Sequence, residues 1–233
     1  MNGERIINVQ GLRYNYPDGT EALRGIDFHL CAGETVALLG PNGSGKTTFV
    51  MHLNGLFVGE GSVTVCGEAL SPKPTKAALA RVRAKVGLVF QDADEQLFMP
   101  TVLEDAAFGP AQTGATLADA EALARRALEK TRMTHALAKA PYHLSAGEKR
   151  RVALAGVLAM DPEVLVLDEP TTSLDPPGQR ELIELLRSLP QAKILVTHDV
   201  SFAAALASRA VFFENGQIAG EGTVAEVVAR FGW

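Results

Sequence analysis

The run GPNGSGKT, Gly40 to Thr47, has the spacing G-x-x-x-x-G-K-[ST], which puts glycines, a lysine and a hydroxyl where a polyphosphate needs them. Gly40, Gly43 and Gly45 let the backbone, with Pro41, Asn42 and Ser44 between them, wrap phosphates with successive N–H groups pointing inward. The helical segment that opens here, with Thr48 in its first turn, adds about half a positive charge at its N-terminus. Lys46 then sits between the β- and γ-phosphates, and the Thr47 hydroxyl binds Mg²⁺. VLVLDE, 164–169, is the second chemical element. Its apolar residues predict a buried strand with Asp168 at the carboxyl end, beside the loop, where open α/β sheets bind ligands. Asp168 holds Mg²⁺ through water, and Glu169 orients and deprotonates the attacking water as general base. A strand that ends in Asp-Glu is common in isolation. After a phosphate loop it predicts nucleotide hydrolysis.

These groups need elements that hold them in register. Four apolar, β-rich runs have the pattern of buried parallel strands: TVALLG (35–40), VGLVF (86–90), VLVLD (164–168) and KILVTH (193–198). Helical patterns lie between them, the alternation of a parallel α/β sheet. The first forty residues read instead as short strands, RIINVQGLRYNYP, GIDFHL and TVALLG, with a turn at Asp18-Gly19. Residues 110–160 differ again, being alanine-rich and helical with no strand, which predicts a helical subdomain inserted in the sheet core.

Composition narrows the class. The chain has 233 residues, 47% apolar and 21% charged, the proportions of an ordinary globular domain. No apolar run reaches the roughly 18–20 residues of a membrane span, and MNGERIINVQ lacks the apolar region of a signal peptide. A cytoplasmic protein is expected. Cys31 and Cys66 are far apart, with no C-x-x-C and no paired histidines, so buried free thiols are expected rather than a disulfide or zinc site. A formal charge of −5 argues against nucleic acid as partner.

LSAGEKRR, Leu144 to Arg151, is the discriminating segment. Ser145 followed three residues later by Glu148 predicts a capping box ahead of a helix running to about Met160. A cap accounts for those two residues, but not for Ser and Gly together at a helix start, the arrangement that binds an anion. With this segment the chain resembles the nucleotide-binding subunits of ABC transporters, whose signature is written LSGGQ. The other stations of that family follow in order over nearly the whole chain. Gln91 matches the Q-loop residue near Mg²⁺ and the attacking water, SLD (173–175) the D-loop, and His198 in VTHD the switch histidine. Tyr16 matches the aromatic that stacks on adenine. Two departures stand out: Ala146 replaces the usual Gly, and Glu148 the usual Gln. Alanine is less free at positive φ than glycine, and Glu148 brings a negative charge near a triphosphate unless it turns back to cap its own helix.

The resemblance implies an α/β fold of the P-loop ABC-type ATPase. It has a RecA-like parallel sheet core, an N-terminal antiparallel β subdomain and an inserted helical subdomain. A single domain over 1–233 is expected, with about 1–90 and 161–233 in the β subdomain and core, and 91–160 in the Q-loop and helical subdomain. It also implies a head-to-tail homodimer that sandwiches two ATP molecules with Mg²⁺. Ser145, Ala146, Gly147 and Glu148 of one subunit face the phosphate loop of the other, and Asp175 bridges the two. Such an isologous interface lets one chain type build both sites.

QDADEQLF, 91–98, packs three carboxylates before an apolar pair. A solvated loop is the plain reading. Within the ABC family, FQDADEQLFMPTVLEDAAFGP resembles most the energy-coupling-factor (ECF) group of vitamin and metal importers. There, residues after the Q-loop line the groove for coupling helices of a transmembrane T component. Asp92, Asp94 and Glu95 are then expected to pair with arginines of that component, with Phe98 as an apolar floor. The partners implied are the T component and a substrate-binding membrane subunit, at the cytoplasmic face of the cell membrane. The chain ends soon after His198, which within the group resembles ATPases of dedicated biotin, cobalt or nickel systems. Biotin is the expected cargo, with cobalt or nickel as the alternative. A DNA-repair ABC ATPase needs a coiled-coil or zinc insertion, for which Gln91 and Ser145 lie too close. A purely regulatory ATP-binding module differs from the ATPase only in whether Glu169 works.

Overall fold

The computed structural model describes residues 3–233. In chain order its strands are β1 (Arg5–Asn15), β2 (Glu21–Cys31), β3 (Thr35–Leu39), β4 (Glu60–Val65), β5 (Glu68–Leu70) and β6 (Val86–Val89). They continue with β7 (Val164–Asp168), β8 (Ala192–Val196), β9 (Arg209–Glu214) and β10 (Gln217–Gly222). The helices are α1 (Lys46–Leu53), α2 (Lys76–Lys85), α3 (Val102–Gln112) and α4 (Leu117–Lys130). After them come α5 (Ala146–Leu158), α6 (Pro176–Ser188), α7 (Val200–Leu206) and α8 (Val224–Phe231).

An antiparallel sheet has the order β2-β1-β4-β5. The Asp18-Gly19 turn joins its first two strands: Gly19, at φ 88°, donates to the Tyr16 carbonyl, and Asp18 Oδ1 accepts the Thr20 N–H at 2.9 Å. Both strands are eleven residues long rather than short. Irregular register between Val9 and Leu12 breaks the period-two alternation, so the continuous strand is hidden in the sequence. The thiols also differ from expectation. Both are free, but half-buried instead of buried. Cys66 occupies, with Gly67, the two-residue turn between β4 and β5 at φ 48°, which lifts it out of the strand interior.

The second sheet has the order β10-β9-β3-β8-β7-β6, parallel from β9 to β6. The four predicted apolar runs are β3, β6, β7 and β8. Their residues are buried on both faces because alternate side chains feed different cores. Val164, Val166, Ile194 and Val196 pack toward the antiparallel sheet, while Leu165, Leu167 and Leu195 pack toward the helical region. The β9–β10 hairpin was not predicted. Its signal was present, since Asn215-Gly216 supplies two positive-φ residues (48° and 76°) between apolar runs.

Between β6 and β7 the chain is helical, as predicted. Thr101, Thr116 and Ser145 cap α3, α4 and α5 with side-chain oxygens, each such cap contributing about 1 kcal/mol. The alanines are used where helices meet: Ala106, Ala120, Ala124, Ala127 and Ala153 are all buried, so small side chains bring the helix backbones together.

Candidate nucleotide site

The loop after β3 turns into α1 through Gly45, whose φ of 102° is left-handed and which offers no side-chain cap. Two glycines are required sterically. A Cβ on Gly40 would lie 2.1 Å from the Phe213 carbonyl oxygen, and one on Gly45 2.8 Å from that of Ala22. Lys46 is 6% exposed and folds over its own loop, donating to the carbonyls of Gly40 (2.6 Å) and Pro41 (2.9 Å). Burial pushes its ammonium below the ordinary lysine range, against the pull of Glu169 and Asp168.

A cleft of about 500 Å³, within the range of ligand pockets, is lined by Tyr16, Asn42, Gly43, Ser44, Gly45, Lys46, Thr47, Thr48, Gln91, Asp168, Glu169 and His198. Sequence reasoning thus brought one set of residues to one place. Thr47 Oγ1 donates to Asp168 Oδ2 at 2.9 Å, which pairs a hydroxyl and a carboxylate as hard oxygen donors. This donor set fits Mg²⁺, which takes one or two protein oxygens together with substrate phosphates and water. Tyr16 lies at the cleft's edge, its hydroxyl 2.8 Å from Thr48 Oγ1 and its ring edge-on to Tyr14 and Phe57. Thr20, Glu21 and Ala22 also line the cleft and were missed; nothing in their types marks them.

Glu169 follows β7 with φ 44°, an uncommon conformation for a residue with a side chain. Its Oε1 lies 3.2 Å from His198 Nε2 and its Oε2 3.4 Å from the His198 N–H. Burial pushes the carboxyls of both Glu169 and Asp168 above the ordinary range. For Glu169 the His198 imidazole is the main opposing influence. The arrangement can hold a proton acceptor against a histidine beside a phosphate cradle.

The signature residues sit elsewhere. Ser145 caps α5 in a full capping box: Glu148 Oε2 accepts from the Ser145 N–H and Oγ, both at 2.9 Å, and Ser145 Oγ accepts from the Glu148 N–H. Glu148 therefore does turn back onto its own helix. The bonds from Ser145 and from His135, 3.2 Å away, hold its carboxyl down at about 2. None of Ser145, Ala146, Gly147 or Glu148 lines the nucleotide cleft of its own chain. Asp175 Oδ1 accepts the Gly178 N–H at 2.9 Å and caps α6.

The acidic stretch after Gln91 divides. Asp92 caps a single 3₁₀ turn, Ala93–Glu95, through the Asp94 N–H, and Asp94 pairs with Lys149 of α5 at 2.6 Å. Asp92, Asp94 and Glu95 line a cleft shared with Thr47 and Asp168, next to the nucleotide side. Asp94 is thus already engaged by Lys149, in an exposed contact that an arginine of another protein would have to share or displace. Phe98 points into a different groove. It is 64% exposed and edge-on to Phe108 at 4.9 Å, with Leu56, Leu97 and Met160 alongside. Asp105, buried below it, fixes this loop by accepting the N–H groups of Phe98 (2.9 Å) and Met99 (2.7 Å). Sequence reasoning also missed Arg150, although its spacing to Ala153, Leu154 and Val157 puts it on the buried face of α5.

Comparison with known proteins agrees with this geometry. Residues 23–172 match the family described as ABC transporter. A putative ABC transporter ATP-binding protein of Streptomyces avermitilis is 52% identical over 224 residues, 96% of this chain and 84% of that one. The energy-coupling factor transporter ATP-binding protein EcfA of Methanosphaera stadtmanae is 46% identical over 226 residues, 95% of this chain and 81% of that one. Among solved structures, cbiO1 of Clostridium perfringens, described as part of the ABC transporter complex cbiONQ, superposes with a TM-score of 0.86 at 35% identity. That match covers 98% of this chain and 92% of the other. A dimeric post-hydrolysis state of the ATP-binding cassette MJ0796 with ADP and Pi gives 0.84 at 25% identity, covering 94% and 98%.

Proposed function

This chain belongs to the ABC transporter family as an ATP-binding, ATP-hydrolysing subunit, and we propose that it powers an importer of the ECF type. The observation that carries this reading is a complete phosphate cleft combined with a signature that lies outside it. Such a chain completes its site only with a second copy. The dimeric cassette among its structural neighbours and the naming of its relatives support the same direction.

In the proposed mechanism the loop N–H groups and Lys46 hold the β- and γ-phosphates of ATP, Tyr16 stacks on the adenine, and Ser145 of a second copy closes over the γ-phosphate. Thr47 and Asp168, with Gln91 nearby, would hold Mg²⁺. The ion polarises the phosphoryl oxygens when bound. Glu169 accepts the proton of the attacking water. His198 exchanges its contact with Glu169 for the γ-phosphate, which frees the carboxylate to act. Asp175 extends toward the second copy across the two-fold axis.

The groove with Phe98 and Phe108 is the proposed seat of a transmembrane T component, and Glu95, which lines the neighbouring cleft and makes no ion pair among the described residues, supplies a charge beside it. Asp92 and Asp94 join it by exchange of their present contacts. No described helix is long and apolar enough to cross a membrane, so the chain sits peripherally on its membrane partners in this reading. Biotin is the proposed cargo, with cobalt or nickel ions as the alternative within the same group.

Reconstitution tests the whole reading. The chain is combined with an ECF T component and a biotin-binding or metal-binding membrane subunit in vesicles, and uptake of labelled biotin, cobalt or nickel is measured with MgATP. ATP-dependent uptake supports it and identifies the cargo. ATP hydrolysis with no assembly and no uptake removes the importer role and leaves a soluble ABC ATPase.

A further inference from the structure

Arg150 is buried (7% exposed) on the second turn of α5, yet among the described residues no carboxylate is hydrogen-bonded to it. Its guanidinium instead grips two main-chain oxygens. Nη1 donates to the Glu169 carbonyl at 2.6 Å and Nη2 to the Gln91 carbonyl at 2.7 Å. Both acceptors belong to residues whose side chains line the nucleotide cleft, while Arg150 itself does not. Burial pushes its guanidinium below the ordinary arginine range, only partly offset by the nearby Asp92 and Glu169 carboxylates, and an apolar side chain would fill the space at less cost. Its placement therefore asks for another role.

The conformation of Glu169 supplies one. At φ 44° its backbone lies in the left-handed region, which persists only when its surroundings over-determine it. The Glu169 N–H is tied to the Val196 carbonyl at 2.8 Å, and its own carbonyl is held by Arg150 and, at 3.2 Å, by the Thr172 N–H. The other arm of the same rigid fork holds the start of the segment after β6. One planar group thereby fixes the distance between the backbones of Gln91 and Glu169.

We propose that Arg150 is a positioning residue for ATP hydrolysis: it locks the Glu169 backbone and ties it to the Q-loop, so that the carboxylate is aimed only while the Gln91 segment is seated on α5. This rests on the reading of Glu169 as general base. Arg150 does not line the nucleotide cleft, so its removal is expected to disturb aim and leave binding intact.

The test compares Arg150→Met and Arg150→Lys, each in the wild-type and Glu169→Gln backgrounds, with full-length protein. The MgATP Kd is expected to stay within about twofold, while kcat falls roughly 10- to 100-fold in R150M, the scale of a misplaced reacting group. R150K recovers part of that loss, since an ammonium can reach one carbonyl but cannot bridge both in a plane. In the E169Q background R150M is expected to lower the residual turnover no further, the non-additivity of residues acting as a unit. Wild-type kcat in R150M, or an equal fall in both backgrounds, overturns the proposal. If R150M does not fold, R150K decides: a folded variant that binds ATP normally and turns over at the wild-type rate also overturns it. E169Q alone with wild-type turnover would instead overturn the reading of Glu169, a result distinct from either.

Discussion

Two helix starts are assigned to phosphate in the proposed mechanism, and they are built in opposite ways. At α1 the cap is Gly45, with no side chain and no cap hydrogen bond, so the orphan N–H groups face the cleft. At α5 the cap is Ser145, whose N–H and hydroxyl are both taken by Glu148 of the same turn. The first is an anion site open within one chain. The second already holds an anion, its own carboxylate, which the Ser145 and His135 bonds keep ionised well into the acid range by holding its pKa at about 2. In the proposed dimer, a phosphate from the other subunit would have to displace, or share, that internal bond. The comparison teaches that a helix N-terminus becomes a site only to the degree that the sequence leaves its donors unpaired.

The strongest way to break this contrast is to damage the site that is complete in one chain. Glu169→Gln keeps shape and removes the base, and turnover is expected to fall roughly 10²- to 10⁴-fold while MgATP still binds. Lys46→Ala is expected to raise the Kd for MgATP instead. Titration calorimetry separates the two, and E169Q protein with undiminished turnover would remove Glu169 from the chemistry.

The second prediction strikes the other helix. E169Q with MgATP is expected to sediment as a dimer, and Ser145→Arg in that background as a monomer, because a bulky side chain fills the phosphate path at α5. Equal dimerisation of both proteins contradicts a sandwich through the signature.

A third prediction uses pH, where the two regions have opposite signs. Burial raises the Glu169 and Asp168 carboxyls, so the stability that they contribute is present below their unfolded pKa and lost as pH rises through the higher folded one. Glu148 is depressed: its contribution is present above the unfolded value of 4.5 and lost as pH falls toward about 2. For catalysis, kcat is expected to fall on acidification through a pKa above the ordinary carboxylate range, and E169Q is expected to lack that limb. A wild-type profile that stays flat down to the ordinary carboxylate range would contradict a buried base.

The smallest effects sharpen the comparison. Glu148→Gln removes the internal charge but keeps a side chain able to close the capping box. ATP-driven dimerisation in the E169Q background is expected to tighten about two- to fivefold, the equivalent of roughly 0.3–1 kcal/mol at a helix terminus. Unchanged or weaker dimerisation would mean that Glu148 does not compete with phosphate. Ala146→Gly is expected to change the same constant by less than about twofold, since Ala146 already adopts the first helical position of α5 without positive φ.

Local rules made much of this legible. The phosphate loop, the Asp168 strand and the Ser145 cap each depend on a few consecutive residues, and each falls where expected. What escaped was set by distant packing. The reach of Arg150 to Gln91 and Glu169 crosses three segments of chain, and only its place on the buried face of α5 hinted at it. The acidic run looked uniform in sequence, but Lys149 separates Asp94 from Glu95, and Asp105 turns Phe98 toward a different groove. The β9–β10 hairpin has its turn signal in Asn215-Gly216, but β10 (QIAGEG) is short of apolar residues and is held as a strand by its pairing with β9.

That hairpin has a consequence for the other end of the chain. Phe213 supplies the carbonyl that presses on Gly40, the Gly216 N–H bonds to the Ser44 carbonyl at 3.1 Å, and the Gly216 carbonyl receives the Arg24 N–H at 2.8 Å. None of the residues of β9 or β10 lines the nucleotide cleft, yet they form its mould and rivet it to the antiparallel sheet. A protein cut after α7 would keep every phosphate-binding residue and lose the wall that gives their loop its curve.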